Sequence, residues 1–543
     1  MYIRYISSKN IKWAMMMKSN IIYLSTFCLG MILMIFSWVI SYPLSILSVD
    51  DYIFNNVSIF YWFSIPLLLF SIYMLSLNTY KNNLRFFYSI LFLLIIYSLN
   101  FFYYYIPGSD SHYFRGNTEY LFNNNLNNPL NMDLHYLEWP LFFMLSYIFV
   151  TITSLEIRIY EFIIYSIIGL IITTCIYKYA INHNLKNGFL AVASYFFTIG
   201  FKFLNYQAVP FSFAFSILLI ILLIDKSIKN SINKYIFTLI LFICISYSHV
   251  YTPIFFILYE ITKNIISKNR ENIKSIILLI IIYSSVQILK APISFNNIIM
   301  VFARRAVRFS YQSIIQETLR SSMTLIETIS QRISFSITLI TGLVTLIGFI
   351  LMQQRKKISI EDKSILIIGI VYLSAGTFIQ LLGHRMIALL FLPISLGFSY
   401  LFETKYKSSL IMLSLFLMIF FVSIPIYKSF YDAEIQFQTK EAYYSENFMV
   451  DKYSWPYSGN VLSHFRVRNY FRTKPHGYTR LESENDINFP IDIRSYNCIF
   501  YTVGLGKSFI RLNYNIEEIF HQNENVSNLV FNSGKSFIII CRI

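Results

Sequence analysis

Long uninterrupted apolar runs set the pattern of the chain. Ile21–Ile40, Phe60–Leu77 and Ser408–Ile426 each approach or reach the ~20 residues that a helix needs to cross the hydrocarbon core of a bilayer. Similar runs follow one another, broken by short polar turns, until about Lys428. Beyond that point charges, Asn, Gly and Pro appear, and no later run is long enough to span. The pattern predicts a polytopic α-helical membrane domain over residues 1–427 and a small external α/β domain over residues 428–543. Within the second domain, Asn497–Val503 and Ser536–Cys541 read as short β-strands, and Glu517 and Glu518 sit in a helix-like patch.

Composition sharpens this picture. Only 13% of the 543 residues are charged, about half of what a soluble globular chain carries, so a soluble enzyme is excluded. The net charge of +16 would suggest nucleic acid in a soluble protein; in a multi-span chain it reflects cytoplasmic-loop bias and contact with lipid headgroups, and nucleic acid is not an expected partner. Arg4, Lys9, Lys12 and Lys18 precede an apolar run too long for a signal-peptide core, which predicts a retained first span. Cys28, Cys175 and Cys244 lie inside apolar runs, while Cys498 and Cys541 read either as a pair or as two thiols. No glycine-rich phosphate loop is visible, which argues against an ATP-driven pump.

Basic residues collect on the cytoplasmic side of a membrane, so the loops can be assigned in turn. Lys81 with Arg85, Lys226–Lys234, Lys263–Lys274, Arg355–Lys357 and Lys405–Lys407 fall inside, with the N-terminus. The acidic-leaning loop 108–138, the turn Ser246–Thr252, the loop 290–332 and the turn Gly383-His384-Arg385 fall outside. The count comes to about 13 transmembrane helices with an external C-terminus, provided that one of four apolar pieces between Leu137 and Ile224 does not cross. Pro140–Thr153, short and led by a proline beside Trp139, suits the interface. The sequons at Asn56 and Asn525 then lie on the external side.

Three polar clusters map to that outer face. The first is Pro107-Gly108-Ser109-Asp110-Ser111-His112-Tyr113-Phe114-Arg115, followed by Asp133, His135 and Glu138. A carboxylate at the membrane edge, partly desolvated by Phe101–Tyr105, would have its pKa raised and could act as a general base. Asp110 reads equally as a helix cap, since Ser-Asp-Ser after Pro-Gly is also turn chemistry. The second cluster, His384-Arg385 between Ile365–Leu382 and Met386–Tyr400, suits either a bidentate grip on a phosphate or a side chain snorkelling to headgroups. The third is the loop holding Arg304, Arg305, Arg308, Arg320 and Arg332 against Glu317 and Glu327 only. A loop so basic on the outside is explained by an anionic lipid-linked substrate or by general adhesion to anionic lipid. His249, in the turn Ser246–Thr252, is a lesser candidate that reads also as a hydrogen-bonded structural residue. Asp110 and His112 alone do not specify a metal site, so metal dependence stays open.

The external carboxylate loop, then Glu138-Trp139-Pro140-Leu141-Phe142-Phe143, then Thr153–Arg158 leading into another apolar run, resembles the start of the GT-C membrane glycosyltransferases. That superfamily includes protein O-mannosyltransferases, the aminoarabinose transferase of lipid A and oligosaccharyltransferases. The resemblance covers Pro107–Ile224 by motif and the remainder by architecture alone. It implies a polyprenyl- or dolichyl-phosphate sugar donor, Asp110 as the acidic residue at the site, and Arg385 with Arg304, Arg305 and Arg308 as holders of the donor phosphate. His112, Arg115, Asp133, Glu138, His249 and His384 complete the expected substrate-binding set. The chain departs from the superfamily in two respects. The acidic loop follows the third span instead of the first, and no Trp-Trp-Asp signature is present, which disfavours transfer of an oligosaccharide to asparagine.

The expected activity is transfer of a sugar from a polyprenyl-phosphate donor to a lipid, glycan or protein acceptor on the outer face of a plasma membrane. A transporter or flippase of lipid-linked glycans would instead place ionisable residues at mid-bilayer and broken helices in paired halves. A non-enzymatic assembly protein would tolerate loss of Asp110 and Arg385.

Overall fold

A computed structural model describes residues 2–41, 57–79, 81–98, 118, 139–196, 210–227, 232–268, 273–290, 342–354, 359–378, 380–402, 460–463, 480–483, 498–502, 527–532 and 536–541. Of residues 2–19, 158, 227, 372–378, 380–388 and the strands, only the backbone is described. The expected span Ser408–Ile426, the helix-like patch at Glu517 and Glu518, and the sequon residues Asn56 and Asn525 lie outside the described residues.

The described part of the first 402 residues is helical: α1 Tyr2–Ser41, α2 Ile59–Asn78, α3 Asn82–Tyr97, α4 Leu141–Thr153, α5 Ile157–Asn182, α6 Gly188–Tyr195 and α7 Pro210–Ser227. Then come α8 Ile232–Ser248, α9 Tyr251–Ser267, α10 Ile273–Lys290, α11 Gly342–Gln354, α12 Ile360–Phe378 and α13 Gln380–Leu401. Among the described residues four stretches are long and apolar enough to cross a membrane: Asn20–Ser41, Ile59–Asn78, Ile159–Asn182 and Ile273–Lys290. Large apolar side chains stand exposed on their outer faces, such as Ile32 and Val39 on α1 and Ile277 and Ile281 on α10, as a helical membrane protein requires.

Buried hydroxyls show the same constraint from inside. Ser64 donates to the Tyr61 carbonyl at 2.7 Å, Ser76 to Tyr73 at 2.7 Å and Ser246 to Phe242 at 2.9 Å. Each hydroxyl is satisfied on its own helix, so it can sit in an apolar interior without a partner elsewhere. Local signals end the elements: Ser58 Oγ accepts the Phe60 N–H at the start of α2, and Ser154 in a left-handed conformation closes α4. At 13 residues α4 spans only about 20 Å, short of a bilayer core. Of the four apolar pieces between Leu137 and Ile224, the most enclosed is α6, all eight of whose residues are buried. It is surrounded by α3, α5 and α13.

One sequence expectation is corrected. Gly383, His384 and Arg385 do not form the turn between two apolar runs; they lie within α13, which begins at Gln380. The three residues all fit helical backbone and no proline interrupts them, so a single polar step is not enough to stop an otherwise apolar helix.

Five strands occur among the described residues of the C-terminal part: β1 Asn460–Ser463, β2 Arg480–Ser483, β3 Cys498–Thr502, β4 Ser527–Asn532 and β5 Ser536–Cys541. They form one mixed sheet in the order β2-β1-β3-β5-β4, with β1 parallel to β2 and β3, and β5 antiparallel to β3 and β4. Cys498 pairs with Ile540 across β3–β5, and Cys541 pairs with Ser527 across β4–β5.

The helices α11 and α13 cross through direct backbone contact. A Cβ placed on Gly397 would meet the Thr345 carbonyl at 2.1 Å and the Phe349 nitrogen at 2.2 Å, and one placed on Gly348 would meet the Gly397 carbonyl at 2.2 Å. These are backbone atoms, so only separation of the two helices can relieve the clash. Gly397→Ala is expected to lower the thermal midpoint of the detergent-solubilised protein by the equivalent of about 1–3 kcal/mol. Gly342→Ala, whose Cβ would find Phe391 at 3.7 Å, is expected to leave it unchanged. Equal midpoints for the two variants would show that the crossing is looser than described.

Candidate functional site

Interactions gather at the two ends of the helical assembly. At one end, basic loop residues are held by carboxylates. His183 follows α5, Asp225 and Lys226 occupy the last turn of α7, Lys234 the first turn of α8, Lys263 the last part of α9, and Asp362 the first turn of α12. Arg85, in the first turn of α3, belongs to the same end: its Nε donates to the Ser76 carbonyl at 3.3 Å and its Nη1 to the Lys186 carbonyl.

Asp362 is the most deeply buried of these charges, 1% exposed. Its position follows from a local motif. Ser359 precedes α12, its Oγ accepts the Asp362 N–H at 3.3 Å, and its hydroxyl donates to Asp362 Oδ2 at 2.8 Å, a reciprocal cap at the positive end of the helix. Lys226 Nζ stands 3.2 Å from Oδ1, His183 Nε2 stands 3.1 Å from Oδ2, and the Tyr179 hydroxyl donates to Oδ1. Lys226 also contacts His183 Nε2 and lies 4.3 Å from the centre of the Tyr179 ring. Burial alone would raise the Asp362 carboxyl; the hydrogen bond from His183, the charge of Lys226 and the Tyr179 hydroxyl carry it well below the ordinary carboxylate range.

Asp225, the neighbour of Lys226, is 7% exposed on its side chain and holds the second half of the network. Lys263 Nζ approaches Oδ2 to 2.5 Å, Lys234 Nζ approaches Oδ1 to 2.9 Å, and the Tyr259 hydroxyl donates to Oδ2 at 2.6 Å. Here too burial opposes the charge, and Lys263, Tyr259 and Lys234 together hold the carboxyl below its usual value. Glu260 stands 3.9 Å from Lys263. Asp225, Lys234, Glu260 and Lys263 are among the residues that line a cavity of 190 Å³ at α8, α9 and α10.

At the opposite end, the anchoring among the described residues is mainly apolar and neutral. Trp139, buried just before α4, donates from Nε1 to Gln287 Oε1 at 3.2 Å and packs against Val250 and Tyr251. Tyr283 donates to the Val250 carbonyl at 3.2 Å. His249 is buried; its Nδ1 accepts the Tyr251 N–H at 3.3 Å and lies 3.0 Å from Thr252 Oγ1. An Nδ1 that accepts a backbone proton leaves the neutral ring protonated at Nε2. Thr118 is buried and its hydroxyl meets that of Ser146 on α4 at 3.1 Å, which fixes one point of loop 108–138 against the helices.

Among the residues singled out from sequence, His249 therefore lies in this packed corner, and His384 and Arg385 lie on the backbone of α13. Asp110, His112, Arg115, Asp133, Glu138, Arg304, Arg305 and Arg308 lie outside the described residues. Among the described residues no three His, Cys, Asp or Glu side chains gather as a metal site. Sequence reasoning passed over the Asp362 and Asp225 networks because it used the basic clusters only to orient loops. The available signals were the Ser359-x-x-Asp362 cap, the Asp225-Lys226 pair and the Glu260-x-x-Lys263 spacing.

Removing one partner from a buried ion pair leaves the other charge uncompensated. Asp362→Asn is expected to cost about 3–5 kcal/mol of stability at neutral pH. Because the folded-state pKa of Asp362 is depressed, its contribution is complete above the unfolded carboxylate value of about 3.9 and is lost as pH falls through the lower folded value. The gap in thermal midpoint between wild type and Asp362→Asn should therefore close on acidification; a gap that widens would refute the assignment.

Comparison with known proteins returns no matching family model and no similar curated protein.

Proposed function

We propose that the protein is a multi-pass membrane glycosyltransferase of GT-C type, with about 13 spans, a cytoplasmic N-terminus and an extracytoplasmic C-terminal domain. It transfers a sugar from a polyprenyl- or dolichyl-phosphate donor to a lipid, glycan or protein acceptor at the outer face of a plasma membrane. What supports the reading is the convergence of three segments that the charge pattern assigns to that face. Trp139 follows Glu138 directly, Val250 follows His249, and Gln287 lies three residues before the basic loop that starts at Lys290; the three meet in one buried contact. Thr118, from the acidic loop, meets Ser146 on α4, the helix that Trp139 precedes.

The chemistry suits such a corner. Asp110 accepts the proton of the acceptor hydroxyl as the oxygen attacks the anomeric carbon. The donor's phosphate leaves with negative charge, and Arg385 with Arg304, Arg305 and Arg308 neutralises it. The prenyl tail stays in lipid while the acceptor arrives from water.

The test is transfer of radiolabelled sugar from native polyprenyl-phosphate donors in membranes expressing matched amounts of wild type, Asp110→Asn or Arg385→Ala. Asp110→Asn is expected to reduce transfer by about 10²–10⁴-fold. Equal transfer by Asp110→Asn removes Asp110 from the site. Absence of transfer by wild type across a broad donor panel overturns the enzyme reading in favour of a flippase or an assembly protein.

A further inference from the structure

Helix α10 turns most of its surface outward, and its buried residues are Ile276, Leu279, Val286 and Gln287. Three of them are apolar. The fourth is an amide that is 0% exposed, although Ile288 and Leu289 next to it in the chain are exposed. An amide sealed near the end of an apolar span is costly unless its oxygen and its two N–H groups all find partners. The oxygen has one, since Oε1 accepts the Trp139 Nε1 proton at 3.2 Å. Nε2 has none among the described residues.

Turning the amide over does not relieve this. An indole N–H only donates, so the amide atom that faces Trp139 must be the oxygen. Trp139 therefore fixes which way Gln287 faces and holds its two N–H groups on the other side, buried and without an acceptor. Apolar side chains of like size at both positions would fill the same space and leave no polar group to satisfy. The pair carries a penalty that the fold alone does not require, and an oxygen arriving from outside the protein removes it.

The surroundings select the kind of oxygen. The described side chains gathered at this corner, Trp139, Val250, Tyr251 and Tyr283, carry no charge. Gln287 lies in the last turn of α10, the negative end of the helix dipole, and Lys290, the one cation of that turn, is exposed. A phosphate oxygen is poorly placed there. A neutral hydroxyl is well placed, because it accepts from Nε2 without bringing charge into a buried, weakly screened corner.

We propose that Gln287 binds the sugar of the lipid-linked donor, its Nε2 donating to a sugar hydroxyl oxygen, with Trp139 as the positioning residue that aims the amide. This inference rests on the transferase reading and adds a sugar contact to the site.

The test measures initial rates of transfer against the concentration of native polyprenyl-phosphate donors labelled in the sugar, in membranes with matched amounts of wild type, Trp139→Phe and the double variant Trp139→Phe/Gln287→Met. Sugar-free polyprenyl phosphate serves as a competing inhibitor. The double variant removes both halves of the hydrogen bond, so its thermal midpoint should hold, while its apparent KM for the donor should rise about tenfold with kcat unchanged. Trp139→Phe alone, which keeps the amide and releases its direction, should move KM the same way. Inhibition by polyprenyl phosphate should be unchanged in both variants. A KM equal to wild type in either variant, or a fall in midpoint with KM unchanged, would make the pair structural and overturn the proposal. Weakened inhibition by polyprenyl phosphate alongside the higher KM would place Gln287 on the phosphate and overturn the sugar contact. Failure of the transferase reading is distinguishable, because wild type itself would then transfer nothing, and the sugar contact would fall with it. Should the double variant fail to fold, Trp139→Phe decides the point.

Discussion

A carboxylate sealed among apolar helices is stable only when cations and hydrogen-bond donors reach it from several directions, and Asp362 shows what that demands of a fold. Its partners come from the end of α5, through Tyr179 and His183, and from the end of α7, through Lys226. The carboxylate itself rides on the first turn of α12, fixed by Ser359. Three helices distant in sequence must end at one level for these contacts to exist. Asp225 repeats the demand one residue away, drawing in α8 through Lys234 and α9 through Tyr259 and Lys263. Desolvating such pairs costs nearly as much as their attraction returns, so their value lies less in net stability than in register: a helix shifted by one turn would strand a buried charge.

The helix interiors contribute differently. Serine hydroxyls turn back onto their own carbonyls, and the Gly348–Gly397 crossing lets α11 and α13 approach through backbone contact. Such packing is strong but permissive of sliding along an apolar surface. The ion networks remove that freedom at one end, and the Trp139–Gln287 and Tyr283–Val250 hydrogen bonds remove it at the other. The assembly is pinned at its ends and close-packed between them.

Much of this was legible in the chain and some was not. Apolar run lengths located α2 and the spanning part of α1 to within a few residues, because a spanning segment has no other way to satisfy its backbone. The strand readings at Asn497–Val503 and Ser536–Cys541 correspond to Cys498–Thr502 and Ser536–Cys541, since apolar β-branched and aromatic residues between polar turns leave little choice. The start of α13 was misread because His384 and Arg385 mark a polar step, and polarity alone does not say whether a helix stops or carries the charge along. The charge networks were invisible for a different reason: Tyr179, Lys226 and Asp362 are joined by tertiary packing over more than a hundred residues, and no spacing rule links them. His249 was read both as a ligand and as a structural residue, and its Nδ1 is committed to the turn that starts α9.

The two ends consequently pose different chemical problems. Where several carboxylates are each matched to protein cations, the charges serve the fold first. Where a loop gathers arginines with few acids among them, as between Lys290 and Arg332, the imbalance cannot be settled within that loop, and the proposed function meets it with an anionic lipid-linked donor. An unbalanced basic loop that follows in sequence on the helix carrying Gln287 is therefore the feature on which the proposed function leans, more than the denser but internally compensated cluster around Asp362. Charge density does not mark a site; uncompensated charge held by a rigid frame does.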